Sequence, residues 1–138
     1  FYDYLSASYL DRPSDNTTIE KGNMRSLMLG NVSADNTGGW GKSSWSRLRS
    51  INYLLDNYDK AEGDPIQKNK FAAMGHFSRA LFYIDKVGTF SDVPWYDTVL
   101  GTADDDELYK ARDTRELVVD NIILDLEYAT DNPKDEGD

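Results

Sequence analysis

The chain contains no cysteine. Disulfides, thiolate nucleophiles and metal sites built on sulfur are therefore excluded, while the redox compartment stays open. It is poor in positive charge: 15 Lys and Arg against 25 Asp and Glu leave a net charge of −10. Phosphate backbones and anionic membrane surfaces are held by clustered Lys and Arg, so this balance points away from nucleic acid and from adhesion to lipid through basic residues. It also lacks long apolar runs. None approaches the eighteen or so residues that mark a membrane span, and no signal peptide opens the chain. The first residues, "FYDYLSASYL", have neither a start methionine nor a charged leader, and read as a mature or trimmed fragment.

Apolar material is nonetheless ample. The 138 residues are 39% hydrophobic and 12% aromatic, enough for the core of one domain. Phe1, Leu5 and Tyr9 form a weak helical stripe, and a short helix is expected from Thr18 to about Leu29. Asn16-Thr17-Thr18 and Asn31-Val32-Ser33 match glycosylation sequons, a short pattern that chance supplies. Residues 30–44, "GNVSADNTGGWGKSS", are turn chemistry throughout and predict a loop carrying one large aromatic, Trp40.

Beyond that loop the period becomes helical. Trp45, Leu48, Ile51, Leu55 and Tyr58 share one face. Asp64-Pro65 opens the next helix, with Asp as cap and Pro in its first turn. Ile66, Met74, Phe77, Ala80, Leu81, Ile84 and Val87 follow at spacings of three and four, and Gly88 is the expected stop. The spacing predicts an antiparallel helix pair over about 44–60 and 65–87. The run Ala80 to Ile84 is apolar on nearly every side, which predicts a helix enclosed by others and Phe77, Ala80, Leu81 and Ile84 buried. Pro94 sets Val93 extended, and Trp95 and Tyr96 are expected to plug the end of the stack. Asp113 with Glu116 reads as a capping box for a third helix over about 114–130, ended by Asn132-Pro133.

No chemistry is legible as catalysis. His76 is the only histidine and has no nucleophile motif near it. The run Asp104-Asp105-Asp106-Glu107 fails the calcium-loop pattern, because counting from Asp104 the sixth residue is Tyr109 and the twelfth is Arg115. No metal site, cofactor or catalytic residue is expected. Trp40, between Gly39 and Gly41, fits two readings: a loop anchor tucked onto the helices, or a stacking platform for a ligand. An indole offers a flat partner to the C–H face of a pyranose. Asp35 and Asn36 in the same loop could hydrogen-bond ring hydroxyls. Trp40, Asp35 and Asn36 are thus the candidate ligand-binding residues.

Three stretches together resemble the SusD/RagB family of surface glycan-binding lipoproteins of Bacteroidetes. "WSRLRSINYLLDN" is similar to the family's helix with Trp45, Ile51, Asn52 and Leu55 in place. "FSRALFYIDKVGTFSDVPWYD" matches it at Phe77, Arg79, Ala80, Tyr83, Asp92, Val93 and Pro94. "DELYKARDTRELVVDNIILDLEYA" matches at Arg112, Thr114, Ile122, Asp125, Leu126 and Ala129. The family commonly has Glu-Ala-Arg where this chain has Met74, Gly75 and His76, and Pro where it has Ala111. The resemblance implies an all-α fold of tetratricopeptide-like helix pairs with long irregular loops, residues 1–138 forming the N-terminal part of one larger SusD-like domain. It implies non-catalytic binding of oligosaccharide at the outer-membrane surface, through a lipid anchor absent from this chain, and delivery to a SusC-like TonB-dependent transporter. The matched motifs are scaffold in the family, whose glycan contacts come from variable loops. From other classes, a helical-repeat scaffold for protein partners and a glycoside hydrolase remain alternatives.

Overall fold

The structure, a computed structural model, describes residues 39–101, 107 and 109–132. They belong to one compact unit, Gly39–Asp138. The expected stripe over residues 1–10, the helix over 18–29, both sequons, Asp35, Asn36 and Asp104 to Asp106 lie outside the described residues. Among the described residues the chain is helical: α1 over Lys42–Leu55, a short 3-10 turn at Tyr58–Lys60, α2 over Pro65–Phe90 and α3 over Arg115–Asp131. The one extended pairing there is an isolated antiparallel bridge between Val93 and Asp113.

α1 ends earlier than its stripe suggests. The Asn57 side chain donates to the Tyr53 carbonyl at 2.8 Å, a local bond that competes with the helix ladder. The Asp56 carboxylate is drawn away to the backbone N–H of Val99 at 3.1 Å. α2 starts as expected: Asp64 accepts from the Ile66 N–H at 3.0 Å with Pro65 in the first turn. It does not stop at Gly88. It runs to Phe90 and is capped by Ser91, whose φ of 63° is positive, because Phe90 packs onto the core beside Trp40. α3 is capped by Thr114, which accepts from Leu117 N–H, not by Asp113. The Asp113 carboxylate instead accepts from the backbone N–H of Trp95 at 2.7 Å and pairs with Lys110.

α2 is the central element. Along α1 the contacts run from Trp45 against Phe82 to Leu55 against Gly75, so the two helices are antiparallel. Gly75 lies directly against α1: a Cβ there would lie 2.6 Å from Leu55 Cδ2. α3 is also antiparallel to α2, since Asp125 meets Arg79 and the later Tyr128 packs on the earlier His76. The core gathers Leu48, Ala80, Phe82, Tyr83, Val87, Val93, Trp95, Val118 and Ile122. Ala80, Phe82 and Tyr83 are buried as a middle helix requires, whereas Phe77 and Leu81 are only half-buried. Ile84 departs from expectation: it is 48% exposed, on a face of α2 that neither α1 nor α3 covers. Phe71 and Met74 are exposed as well.

Candidate functional site

The segment after α2 is held by side chains from all three helices. Arg79 is buried, and its guanidinium grips Asp125 with two bonds of 2.7 Å, from Nε and Nη2. Its third nitrogen, Nη1, donates to the Asp97 carbonyl at 3.1 Å. Asn52, 1% exposed, donates through Nδ2 to the carbonyls of Tyr96 and Thr98, each at 3.0 Å. The Tyr83 hydroxyl accepts from the Tyr96 N–H at 2.7 Å, with the Pro94 carbonyl at 3.3 Å as an acceptor. Trp95 stacks on Tyr83 with ring centres 4.3 Å apart, and the Arg79 guanidinium lies 5.3 Å from its ring centre. Trp95 and Tyr96 therefore lie along the seam between α1 and α2, not at the end of the stack. This is how buried polar groups are tolerated: each has its partner, and among the described residues no buried side-chain N or O is left unsatisfied.

His76 completes the cluster. Its Nδ1 lies 2.7 Å from Asp125 Oδ1, so with a carboxylate opposite, Nδ1 is the donor. Its ring packs on Tyr128 at 4.0 Å between centres. Burial works against the Asp125 charge, but the hydrogen bonds from Arg79 and His76 outweigh it and hold the carboxyl below the ordinary carboxylate range. Burial pushes the Tyr83 hydroxyl well above the usual phenol range. A histidine on a carboxylate is two thirds of a nucleophilic triad in outline. Here the polar contacts of His76 among the described residues are Asp125 and Arg79, and the carboxylate is committed to the arginine. Through Arg79 the arrangement clamps the backbone of the segment at Asp97.

The second cluster surrounds Trp40. Gly39 precedes it with a φ of 98°, a conformation that favours glycine. The Gly39 carbonyl accepts from Lys86 Nζ, and the Ser44 hydroxyl lies 2.6 Å from it and 2.7 Å from the Gly41 carbonyl. Lys86 is only 3% exposed. Its ammonium sits over the rings of Trp45, Phe82 and Phe90 at 5.1, 5.2 and 5.7 Å, and burial lowers its pKa. The Trp40 carbonyl accepts from Trp45 Nε1 at 3.0 Å. The Trp40 ring meets Trp45 and Phe90 in edge contacts at 5.5 and 4.9 Å, and the Arg112 guanidinium lies 4.4 Å from its centre.

Of the three residues proposed from sequence, the structure describes Trp40 alone; Asp35 and Asn36 fall outside the described residues, so their approach to it is not described. Trp40 is half-buried. Its edges make an anchor's contacts, and the cation at its ring is Arg112, exposed at the entry to α3. Sequence reasoning missed Arg112 and Lys86 as neighbours of Trp40. Lys86 carried a signal, a charge one turn beyond Phe82 and Tyr83 on the apolar face of α2; Arg112 carried none, because an irregular segment separates it from its partner.

A third feature is an open apolar groove of about 430 Å³ between α2 and α3, lined by Lys70, Ala73, Met74, Phe77, Leu126 and Ala129 among others. Among the described residues no group of His, Asp and Glu could hold a metal ion, and no helix is long and apolar enough to cross a membrane. No family model, curated protein or solved structure matches this chain.

Proposed function

We propose that the chain is part of a glycan-binding protein of SusD/RagB type, with tetratricopeptide-like helix pairs as its scaffold. In this reading the full-length protein is lipid-anchored at the outer-membrane surface, binds oligosaccharide without hydrolysing it, and passes it to a TonB-dependent transporter. One observation carries the reading. Asn52, Arg79, Tyr83, Pro94 and Asp125 come from three separate stretches chosen for their resemblance to the family, and all five take part in one buried hydrogen-bonded network. Residues kept for scaffold reasons in a family should do that, because a half-satisfied buried network is worse than none. The ligand would lie on the loop side, at Trp40.

The test is a glycan array and affinity-gel screen on the full-length protein, with reducing-end release measured in parallel. Retention by one or more polysaccharides with no release of reducing ends is the expected result. Sustained release, abolished by one Asp or Glu substitution, would establish a hydrolase instead. The open apolar groove with exposed Phe71 and Met74 favours a second reading, a helical-repeat scaffold for a protein partner. That reading predicts no response to any sugar, and loss of partner binding on Met74→Glu.

A further inference from the structure

The Trp40 ring carries a cation that has no anionic partner among the described residues. Arg112 lies 4.4 Å from the indole centre, and it forms no ion pair or hydrogen bond among the described residues. Arg79 is gripped by Asp125 and Lys110 is beside Asp113. Arg112 is exposed and stands just ahead of the α3 cap at Thr114. Its planar fork of N–H donors matches a carboxylate in two parallel bonds.

We infer that the Trp40–Arg112 pair selects a saccharide bearing a carboxylate, a uronic acid residue, over its neutral counterpart. The inference rests on the glycan reading above and adds the ligand's class. The preference arises by exchange at the indole. A sugar ring stacking on Trp40 competes with the guanidinium for the indole. A neutral pyranose displaces the cation and returns nothing for the lost cation–π contact. A uronate takes its place on the indole and offers the displaced guanidinium a bidentate partner, so the loss is offset. The rigid edge contacts of Trp40 to Trp45 and Phe90 keep the ring in position during that exchange, so the anchor and platform roles of Trp40 are compatible.

The experiment uses the full-length protein and two probes with the same rings: an oligogalacturonate and its fully methyl-esterified, neutral form. Calorimetry on the wild type should give about tenfold tighter binding of the acid, the scale of one charge-assisted bidentate contact. In Arg112→Gln the acid's advantage should disappear; in Arg112→Lys, which keeps the charge but not the fork, it should shrink. Trp40→Ala should weaken the acid. Melting temperatures of all variants show that each is folded, and Arg112→Lys serves if Arg112→Gln is not. Equal affinity for both probes in the wild type overturns the inference, and so does an acid preference that survives Arg112→Gln. Binding of neutral glycans that depends on Trp40 and ignores Arg112 defeats the uronate class alone. Silence toward every glycan on the array defeats the glycan reading itself.

Discussion

Arg79 and Lys86 are buried cations on the same helix, and they are accommodated in opposite ways. Arg79 has a full anionic partner: Asp125 takes two of its nitrogens and the Asp97 carbonyl a third. Lys86 has no carboxylate partner among the described residues. One backbone carbonyl, at Gly39, accepts from it, and three aromatic rings surround it. The difference follows from the side chains. A guanidinium is a weakly hydrated fork that can be satisfied in a dry place by a fixed set of acceptors. An ammonium is a compact, strongly hydrated point charge, and burial lowers its pKa. The Arg79 cluster ties α2 to α3 and to the segment over 94–99, and its removal should be costly. The Lys86 cage ties α2 to the loop ahead of α1, and it is the more replaceable of the two.

The sharpest way to break this comparison is to remove one partner from each cluster. Asp125→Ala leaves Arg79 charged and buried with its main acceptor gone, and such a change typically costs about 3–5 kcal/mol. Urea or thermal unfolding of the variant reads this directly. A cost no greater than that of Lys86→Met would mean the two clusters are equivalent, contrary to the geometry.

The same contrast should appear as two separate pH windows. The folded Asp125 pKa lies below its ordinary 3.8, so the unfolded chain takes up the proton first as pH falls. The stabilisation is full above that ordinary value and is lost as pH drops through the folded pKa. Lys86 is a base whose folded pKa lies below 10.5. Between its folded and unfolded values the unfolded chain holds the proton and the folded one does not, so stability rises with pH there. Stability curves of the wild type minus Asp125→Asn should isolate the acid limb. The wild type minus Lys86→Met should isolate the alkaline one. An acid limb unchanged by Asp125→Asn would sink the first assignment.

Much of the frame was legible because it is local. Asp64-Pro65 opens α2 where capping chemistry says it should, and the stripe of α1 does face the core through Leu48. What failed was decided at long range. Gly88 has the chemistry of a stop, but the packing of Phe90 on Trp40 carries the helix past it. Asp113 has the chemistry of a cap, but the Trp95 N–H claims its carboxylate. Ile84 is apolar, yet α1 and α3 occupy other sides of α2. At the candidate site, the oddness of a tryptophan between two glycines was visible, and the arginine that meets its ring was not.

A milder test sharpens the Lys86 side. Lys86→Met keeps an unbranched apolar chain in the aromatic cage and removes a charge that burial disfavours. The Gly39 carbonyl keeps the Ser44 hydroxyl within 2.6 Å, so no acceptor is orphaned. The expected change in unfolding free energy is about 1 kcal/mol or less, of either sign, because methionine keeps the volume while the lost hydrogen bond and the relieved desolvation of the charge oppose each other. A loss of several kcal/mol would show that the ammonium itself holds the loop.

The smallest expected effect lies in the link between the two clusters. Ser91 follows Phe90 on the Lys86 side and precedes Asp92, whose carboxylate accepts from the Arg115 N–H at 2.9 Å on the α3 side. Its backbone has φ 63° and ψ −87°, close to the rare γ-turn that strains a residue with a Cβ. Such strain persists only where the surroundings over-determine the backbone. Here Phe90 is fixed by Trp40 on one side, and Asp92 and the Val93–Asp113 bridge fix the other. Glycine adopts this conformation without the Cβ penalty, although its unfolded chain has more freedom to lose. Ser91→Gly should therefore stabilise the fold by about 0.5 kcal/mol, the strain relieved less the added chain entropy. Thermal unfolding resolves a shift of that sign. If Trp40→Ala releases Phe90, the gain from Ser91→Gly should shrink in the double variant, because Ser91 would no longer be held in the strained turn. A glycine that destabilises in both backgrounds would show that the turn at Ser91 is not strained.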